Sequence, residues 1–111
     1  MHMGSMAIVA NKTPKNYVHV VFNNGAHDSV GGQPTVGLKI DLPAVAKAVG
    51  YPNAFSVDNK NDLSVILGEA KDLEGPTLIE IKVKKGNRKD LGRPTTTPIQ
   101  NKEALMGFLQ K

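Results

Sequence analysis

Residues 17–25 have the sequence YVHVVFNNG. The first six are almost all β-branched or aromatic, a pattern typical of a parallel strand that is covered on both of its faces. We therefore predict a strand at residues 17–22 that is buried on both faces. Asn and Gly tolerate positive φ, so Asn23-Asn24-Gly25 is also a common turn sequence.

Helices are predicted on both sides of this strand. A helix is expected up to about residue 12, because Pro14 disfavours helix at Thr13. A second helix is expected at residues 41–50, with Asp41 as its cap, a proline in its first turn and a glycine closing it. A third is expected to start at Asn61 or Asp62 and to run to about residue 73. The last helix is expected to start at Asn101 or the residue before it.

Two further strands are predicted, at residues 54–57 and 78–83. The second is apolar at its start and alternates towards its end, which predicts that one of its faces emerges into solvent. Alternating helices and strands indicate an α/β fold, a partial parallel sheet with helices on both faces. We interpret residues 1–111 as a single partial domain, with residues 85–111 as a C-terminal extension and last helix. Because the chain opens on a helix, we expect a preceding strand to be missing.

Composition narrows the function classes. The chain has 111 residues, of which 40% are hydrophobic, and it has no cysteine. The lack of cysteine excludes disulfides and thiolate chemistry, and it is consistent with a cytosolic protein. We predict no membrane span, because no apolar run approaches about 20 residues, and the first residues do not resemble a secretory signal. The net charge of +4 is concentrated at residues 82–93 without interleaved aromatics, so we favour a solvated loop over a nucleic-acid site.

Residues 23–37 are longer than an ordinary connection, which favours a functional loop. In open α/β sheets, ligands bind beyond the carboxyl ends of the strands. Amide and backbone carbonyl oxygens here suit a hard cation such as Mg²⁺ or Ca²⁺. The residues alone leave a metal site and an ordinary Asn-Gly turn both open.

An apolar strand that follows a helix and ends in Asn-Asn resembles the closing half of the thiamine diphosphate motif, whose opening half is Gly-Asp-Gly. Residues 23–35, NNGAHDSVGGQPT, are similar to the loop of phosphonopyruvate and sulfopyruvate decarboxylases. Residues 92–98, GRPTTTP, with Asn101-Lys102-Glu103 after them, resemble the phosphonopyruvate decarboxylases specifically. The resemblance covers nearly the whole chain.

The resemblance implies a site for thiamine diphosphate and Mg²⁺. It places the Asn24 side chain and the Ala26 carbonyl on the metal, with Asn23 supporting the turn. Ser29 and Val30 would lie near the diphosphate and the thiazolium. The Gly-Asp-Gly half would precede Met1, so residues 1–12 resemble the native helix after it, although residues 1–6 also fit a cloning remnant.

The resemblance also implies an activity, the decarboxylation of the 2-oxo acid phosphonopyruvate to phosphonoacetaldehyde and CO₂. In this family the active site lies between two domains, usually of different subunits. We therefore expect a missing N-terminal domain or second subunit, a homo-oligomer, and a chain that is inactive and binds the cofactor weakly or not at all when alone. Two alternatives remain open: the diphosphate-binding subunit of a sulfopyruvate decarboxylase, and a non-catalytic oligomerisation or binding fragment.

Individual side chains leave their roles open. His27 is a weak catalytic candidate, as a proton donor or a contact to the anionic end of a substrate, and it also fits a polar loop residue that contacts backbone. Asp28 is suited to one of two roles: it orients the His27 side chain, or it caps the turn. Arg88, Lys89 and Arg93 suit binding of a phosphonate, but we favour surface charge or a subunit contact for them.

Overall fold

The computed structural model describes residues 3–110. Met1, His2 and Lys111 lie outside the described residues, and with them the start of the segment interpreted as native helix or cloning remnant. In chain order the helices and strands are α1 (Gly4–Lys12), β1 (Val18–Asn23), β2 (Ala26–His27), β3 (Gln33–Pro34), α2 (Leu42–Val49), β4 (Asn53–Val57), α3 (Lys60–Glu69), β5 (Thr77–Lys82) and α4 (Pro98–Leu109).

Strands β1, β5 and β4 form a three-stranded sheet in that order, and both pairings are parallel. The central strand is β5, where Ile79 lies level with Val20 of β1 and Phe55 of β4. Alternate residues of a strand point to opposite faces, so Leu78 and Ile79 belong to different cores. The predicted α/β fold, a parallel sheet with helices on both faces, is confirmed.

Each face of the sheet has its own core. On one face Leu78 packs with residues of α1 and α2 and their flanks, namely Met6, Ala10, Ala46 and Tyr51. On the other face Ile79 packs with Val57 and Ala70, and α3 adds Leu63 and Ile66. Leu78 and Ile79 are both 0% exposed. Apart from Tyr51, the buried core side chains are small or medium-sized and unbranched or aliphatic, and they pack between the sheet and short helices.

The prediction that β1 is buried on both faces is wrong. Val18 and Val20 are 43% and 40% exposed, and Phe22 is 70% exposed. These side chains share the face on which α3 lies, but α3 packs against apolar residues of β4 and β5. In the described residues β1 is therefore an edge strand with one uncovered apolar face.

The predicted boundaries of α2 and α3 differ in how well they agree with the structure. The α2 boundaries are confirmed: Asp41 Oδ1 accepts a hydrogen bond from Ala44 N at 2.9 Å, and Gly50 ends the helix at φ 112°. The predicted start of α3 is wrong, because its cap is Asn59, whose Oδ1 accepts from Asp62 N at 3.0 Å. Asn61 and Asp62 thus lie inside the first turn.

The last helix also starts earlier than predicted. Thr97 caps α4 by accepting from Gln100 N, and the Gln100 side chain accepts from Thr97 N in return, which forms a capping box. Pro98 follows the cap, where a proline's missing N–H has no cost. Large apolar side chains of this helix are exposed: Leu105 is 58% exposed and Phe108 is 70% exposed.

Tyr51 links the core to β1. The His19 Nδ1 atom lies 3.4 Å from the Tyr51 hydroxyl oxygen, within hydrogen-bond distance. Burial, with a smaller contribution from the neighbouring Tyr17, raises the pKa of Tyr51. The Tyr51 hydroxyl therefore stays protonated at neutral pH.

Among residues 3–110, none of the helices has the length and apolar content that crossing a bilayer requires.

We predict that Leu78→Ala lowers the free energy of unfolding by about 3 kcal/mol, because it leaves a cavity in the central strand. Leu105→Ala is the matched control, since that leucine is 58% exposed, and we expect it to cost less than about 0.5 kcal/mol. Urea denaturation of the two variants measures the difference. Equal losses would contradict the placement of the core.

Candidate functional site

The candidate site lies at the carboxyl end of β1, in the loop that leads to α2. The structure folds this loop into a short antiparallel hairpin, in which β2 pairs with β3. Thr35 N donates to the Gly25 carbonyl and Gly32 N donates to the His27 carbonyl, both at 2.8 Å. The 3₁₀ turns Asp28–Val30 and Gly37–Lys39 complete the loop.

Asn24 and Ala26 are close neighbours in this turn. Asn24 Oδ1 accepts a hydrogen bond from Ala26 N at 3.1 Å. Thr35 N bonds to the Gly25 carbonyl, so Ala26 and Pro34 form the next, non-hydrogen-bonded pair of the hairpin, in which neither carbonyl is directed at the opposite residue. The two candidate metal ligands are thus an oriented amide oxygen and a carbonyl oxygen left without a donor from the opposite residue. Hard oxygens of this kind fit Mg²⁺, which takes few protein ligands and fills its shell with phosphate and water.

Gly25 connects the two candidate ligands in a conformation that favours glycine. Its φ is +66°, a left-handed conformation that glycine adopts without strain. A Cβ at this position would lie 2.7 Å from the Cδ1 atom of Leu38, whose exposed side chain would have to move aside. The turn therefore favours glycine mainly for its backbone freedom.

Asn23 is the buried anchor of the turn, at 7% exposure. Its Nδ2 donates to Glu80 Oε1 at 2.6 Å and to the Gly37 carbonyl at 2.9 Å. Its Oδ1 accepts from Gly25 N at 3.1 Å. The resemblance implied a supporting residue here, and the contacts of Asn23 are of that kind.

Glu80 is the residue of this region that the sequence analysis missed. The alternation at the end of β5 predicted an emerging face, but Glu80 is only 1% exposed. Ser56 Oγ donates to Glu80 Oε2 at 2.7 Å, so both carboxylate oxygens are hydrogen-bonded within the protein. A usable signal was present, because a carboxylate between two isoleucines of a central strand is unusual unless it has partners.

Asp28 connects the hairpin to the chain that follows β5. Its Oδ2 accepts from Asn24 Nδ2 at 3.3 Å and from Gly86 N at 2.7 Å. Beside it, Lys85 Nζ donates to the Gly32 carbonyl at 2.7 Å. Of the two roles considered for Asp28, these contacts fit fastening of the turn, and they involve Asn24 rather than His27.

The remaining candidates are less closely held. Ser29 and Val30 are exposed in the first 3₁₀ turn. His27 is half-buried, and its carbonyl accepts the bond from Gly32. Arg88 Nε lies 3.3 Å from Asp90 Oδ1, and both side chains are exposed. The roles of His27, Ser29 and Val30 stay predictions, as do those of Arg88 and Arg93.

A groove of about 320 Å³ opens beside the turn, beyond the carboxyl ends of β4 and β5. It is lined by Leu38, Lys39, Ile40, Asp41, Ser56, Glu80 and Lys82. Across residues 3–110 there is no cluster of three or more His, Cys, Asp or Glu residues placed to hold a metal.

A comparison with known protein families identifies the family to which the chain belongs. Residues 1–81 match the thiamine pyrophosphate enzyme family, in its C-terminal TPP binding domain; thiamine pyrophosphate is another name for thiamine diphosphate. The chain belongs to this family.

Among individual proteins, the chain is similar to two phosphonopyruvate decarboxylases. It is 41% identical to that of Streptomyces viridochromogenes over 98% of the chain, and 44% identical to that of Streptomyces hygroscopicus over 88%. It spans only 28% and 24% of the lengths of these relatives. It is also 29% identical, over its whole length, to sulfopyruvate decarboxylase subunit beta of Methanococcus maripaludis, of which it spans 59%.

We predict that Asp28→Ala frees the loop after β5 from the hairpin. The Gly86 amide loses its acceptor, and a lost hydrogen bond to a charged group is worth about 1.5–3 kcal/mol. Amide hydrogen exchange at Gly86 should therefore become at least about tenfold faster. Asp90→Ala, which removes an exposed ion pair, is the control and should leave that rate unchanged. An unaltered rate in Asp28→Ala would show that this contact does not fasten the loop.

Proposed function

We propose that this chain is the diphosphate-binding part of a thiamine diphosphate-dependent decarboxylase that converts phosphonopyruvate to phosphonoacetaldehyde and CO₂. The observation that carries the proposal is the Asn24–Ala26 turn, which presents two oriented oxygens at the carboxyl end of a parallel strand. The identities of 41% and 44% to phosphonopyruvate decarboxylases support the choice of substrate.

In this proposal the residues of the turn hold the cofactor's metal. Asn24 Oδ1 and the Ala26 carbonyl would hold Mg²⁺, an ion that takes few protein ligands and leaves room for phosphate and water. Asn23 would hold the turn in place through its hydrogen bonds. Ser29 and Val30 would lie near the cofactor. When bound, thiamine diphosphate supplies the electron sink that decarboxylation of a 2-oxo acid requires. His27 is proposed as a contact to the anionic end of the substrate.

The rest of the enzyme would come from elsewhere in the polypeptide or from a second subunit. The chain spans about a quarter of the phosphonopyruvate decarboxylases that it resembles. The uncovered face of β1, with Phe22 70% exposed next to the site, is where such a part would pack. We use "complete enzyme" below for the chain together with that part. A homo-oligomer and a cytosolic location stay predictions.

A second candidate is the diphosphate-binding subunit of a sulfopyruvate decarboxylase. It is supported by the match to a subunit beta over the whole chain. Lower identity, at 29% against 41%, places it second. A non-catalytic binding fragment remains the alternative if no substrate is turned over.

The test is CO₂ release by the complete enzyme with Mg²⁺ and thiamine diphosphate, offering phosphonopyruvate, sulfopyruvate and pyruvate separately. We expect turnover with a clear preference for phosphonopyruvate. Preference for sulfopyruvate would support the second candidate. Turnover of none of the three would overturn the proposed reaction and leave family membership standing.

We also predict that Asn24→Ala raises the Mg²⁺ concentration needed for half-maximal activity by at least about tenfold, because one protein ligand is lost. Asn87→Ala is the matched control, since Asn87 is exposed in the loop after β5. A Mg²⁺ titration of activity in the complete enzyme measures the change. Identical titrations for the two variants would exclude Asn24 as a ligand.

A further inference from the structure

One buried carboxylate, that of Glu80, is hydrogen-bonded to both of the strands that neighbour its own strand in the sheet. Glu80 of β5 accepts hydrogen bonds from Asn23 of β1 at 2.6 Å and from Ser56 of β4 at 2.7 Å. These two neighbours lie on opposite sides of β5 in the sheet. At 1% exposure, Glu80 has little contact with solvent.

An acidic side chain is an unfavourable choice for this place if stability alone is considered. A buried carboxylate loses its hydration, and hydrogen bonds only partly offset that loss. An apolar residue of similar size would pack between the same strands without that loss. The presence of Glu80 therefore points to a requirement for the particular bonds that it makes.

The bond to Asn23 has a geometric consequence. Asn23 Nδ2 gives hydrogens to both Glu80 Oε1 and the Gly37 carbonyl, so its Oδ1 is the atom that faces Gly25 N. A flipped amide would place Oδ1 against two acceptors and its NH₂ group against the Gly25 N–H donor. Glu80 and the Gly37 carbonyl together thus allow one amide orientation, and Glu80 makes the shorter of the two bonds.

We propose that Glu80 is a positioning residue of the cofactor site, which acts through Asn23 to hold the turn carrying Asn24 and Ala26. Gly25 lies between those two residues, and its N–H is fixed by the amide that Glu80 orients. In this role Glu80 would act through Asn23 and would need no contact of its own with the cofactor. This inference rests on the proposed function, because it assumes that the turn binds the metal and the diphosphate.

The test exchanges donor and acceptor between the two side chains. In the complete enzyme, Asn23→Asp places two carboxylates in contact, which we expect to weaken binding of Mg²⁺–thiamine diphosphate at least tenfold. Adding Glu80→Gln to that variant restores a donor opposite an acceptor, and we expect affinity to return to within about threefold of wild type. Calorimetric titration with thiamine diphosphate in excess Mg²⁺ gives the dissociation constants.

Two further variants separate positioning from support of the fold. Glu80→Leu removes the acceptor and keeps the bulk, and it should weaken cofactor binding at least tenfold. Ser56→Ala removes the other donor to Glu80 and leaves the Asn23 contact, so its dissociation constant should stay within about threefold of wild type. If Glu80→Leu does not fold, the Asn23→Asp and double variants carry the test alone, because both keep the volume of each side chain.

The outcomes are distinguishable. Rescue of affinity in the double variant supports the inference when urea denaturation shows both variants to be folded under the titration conditions, since a loss and return of affinity between two folded proteins reports the position of the turn. Wild-type affinity in Asn23→Asp or Glu80→Leu, or absence of rescue, overturns it and leaves the proposed function intact. If the wild-type complete enzyme binds no thiamine diphosphate, the proposed function fails first and the inference with it.

Discussion

The hydrogen bond between the Asn23 amide and Glu80 joins the end of the edge strand to the centre of the sheet. It depends on register: Val21 lies level with Glu80 and Asn23 with Lys82, so the amide reaches back along the same face. A slip of one residue would turn Asn23 to the other face. This register is fixed by the two cores, which contain Leu78 on one face and Ile79 on the other. The cores therefore also determine the position of the turn.

A second carboxylate plays a parallel part outside the sheet. Asp28 holds the Asn24 amide as Glu80 holds that of Asn23, so two consecutive asparagines are each oriented by their own acidic partner. The contacts differ in burial, because Glu80 is enclosed between strands while Asp28 reaches the exposed loop after β5 through Gly86. The turn is thus fixed rigidly on one side and by a solvent-exposed contact on the other. Movement of the loop would affect Asn24 more than Asn23.

The fold class and most elements could be predicted from local sequence signals. Asp41 and Gly50 bounded α2 as expected, because caps and positive-φ glycines act within a few residues. Burial could not be predicted in the same way. The β-branched run of β1 is that of a covered strand, yet Val20 and Phe22 are exposed because α3 packs over the other two strands.

The candidate site shows the same division between local and long-range information. Asn23, Asn24 and Ala26 are candidates because the resemblance rests on a contiguous motif, and the structure brings them together in one turn. Glu80 was missed because its partners are 57 and 24 residues away in the chain. The alternation along β5 indicates which face of the sheet Glu80 points to. It could not reveal that α2 and the loop before it cover that face.

The hydrogen bond from Gly25 N to Asn23 Oδ1 has a further consequence, for chemical ageing. Asparagine is thermolabile, and an Asn-Gly bond is especially prone to deamidation because the unhindered glycine nitrogen can attack the asparagine side-chain carbon and release ammonia. Here that nitrogen is engaged by Asn23, while Asp28 and Ala26 hold the Asn24 amide. The folded turn therefore protects Asn24 from becoming an aspartate or isoaspartate. That damage should accumulate in chains that have unfolded, so the folded state also preserves the chemical identity of the candidate ligand.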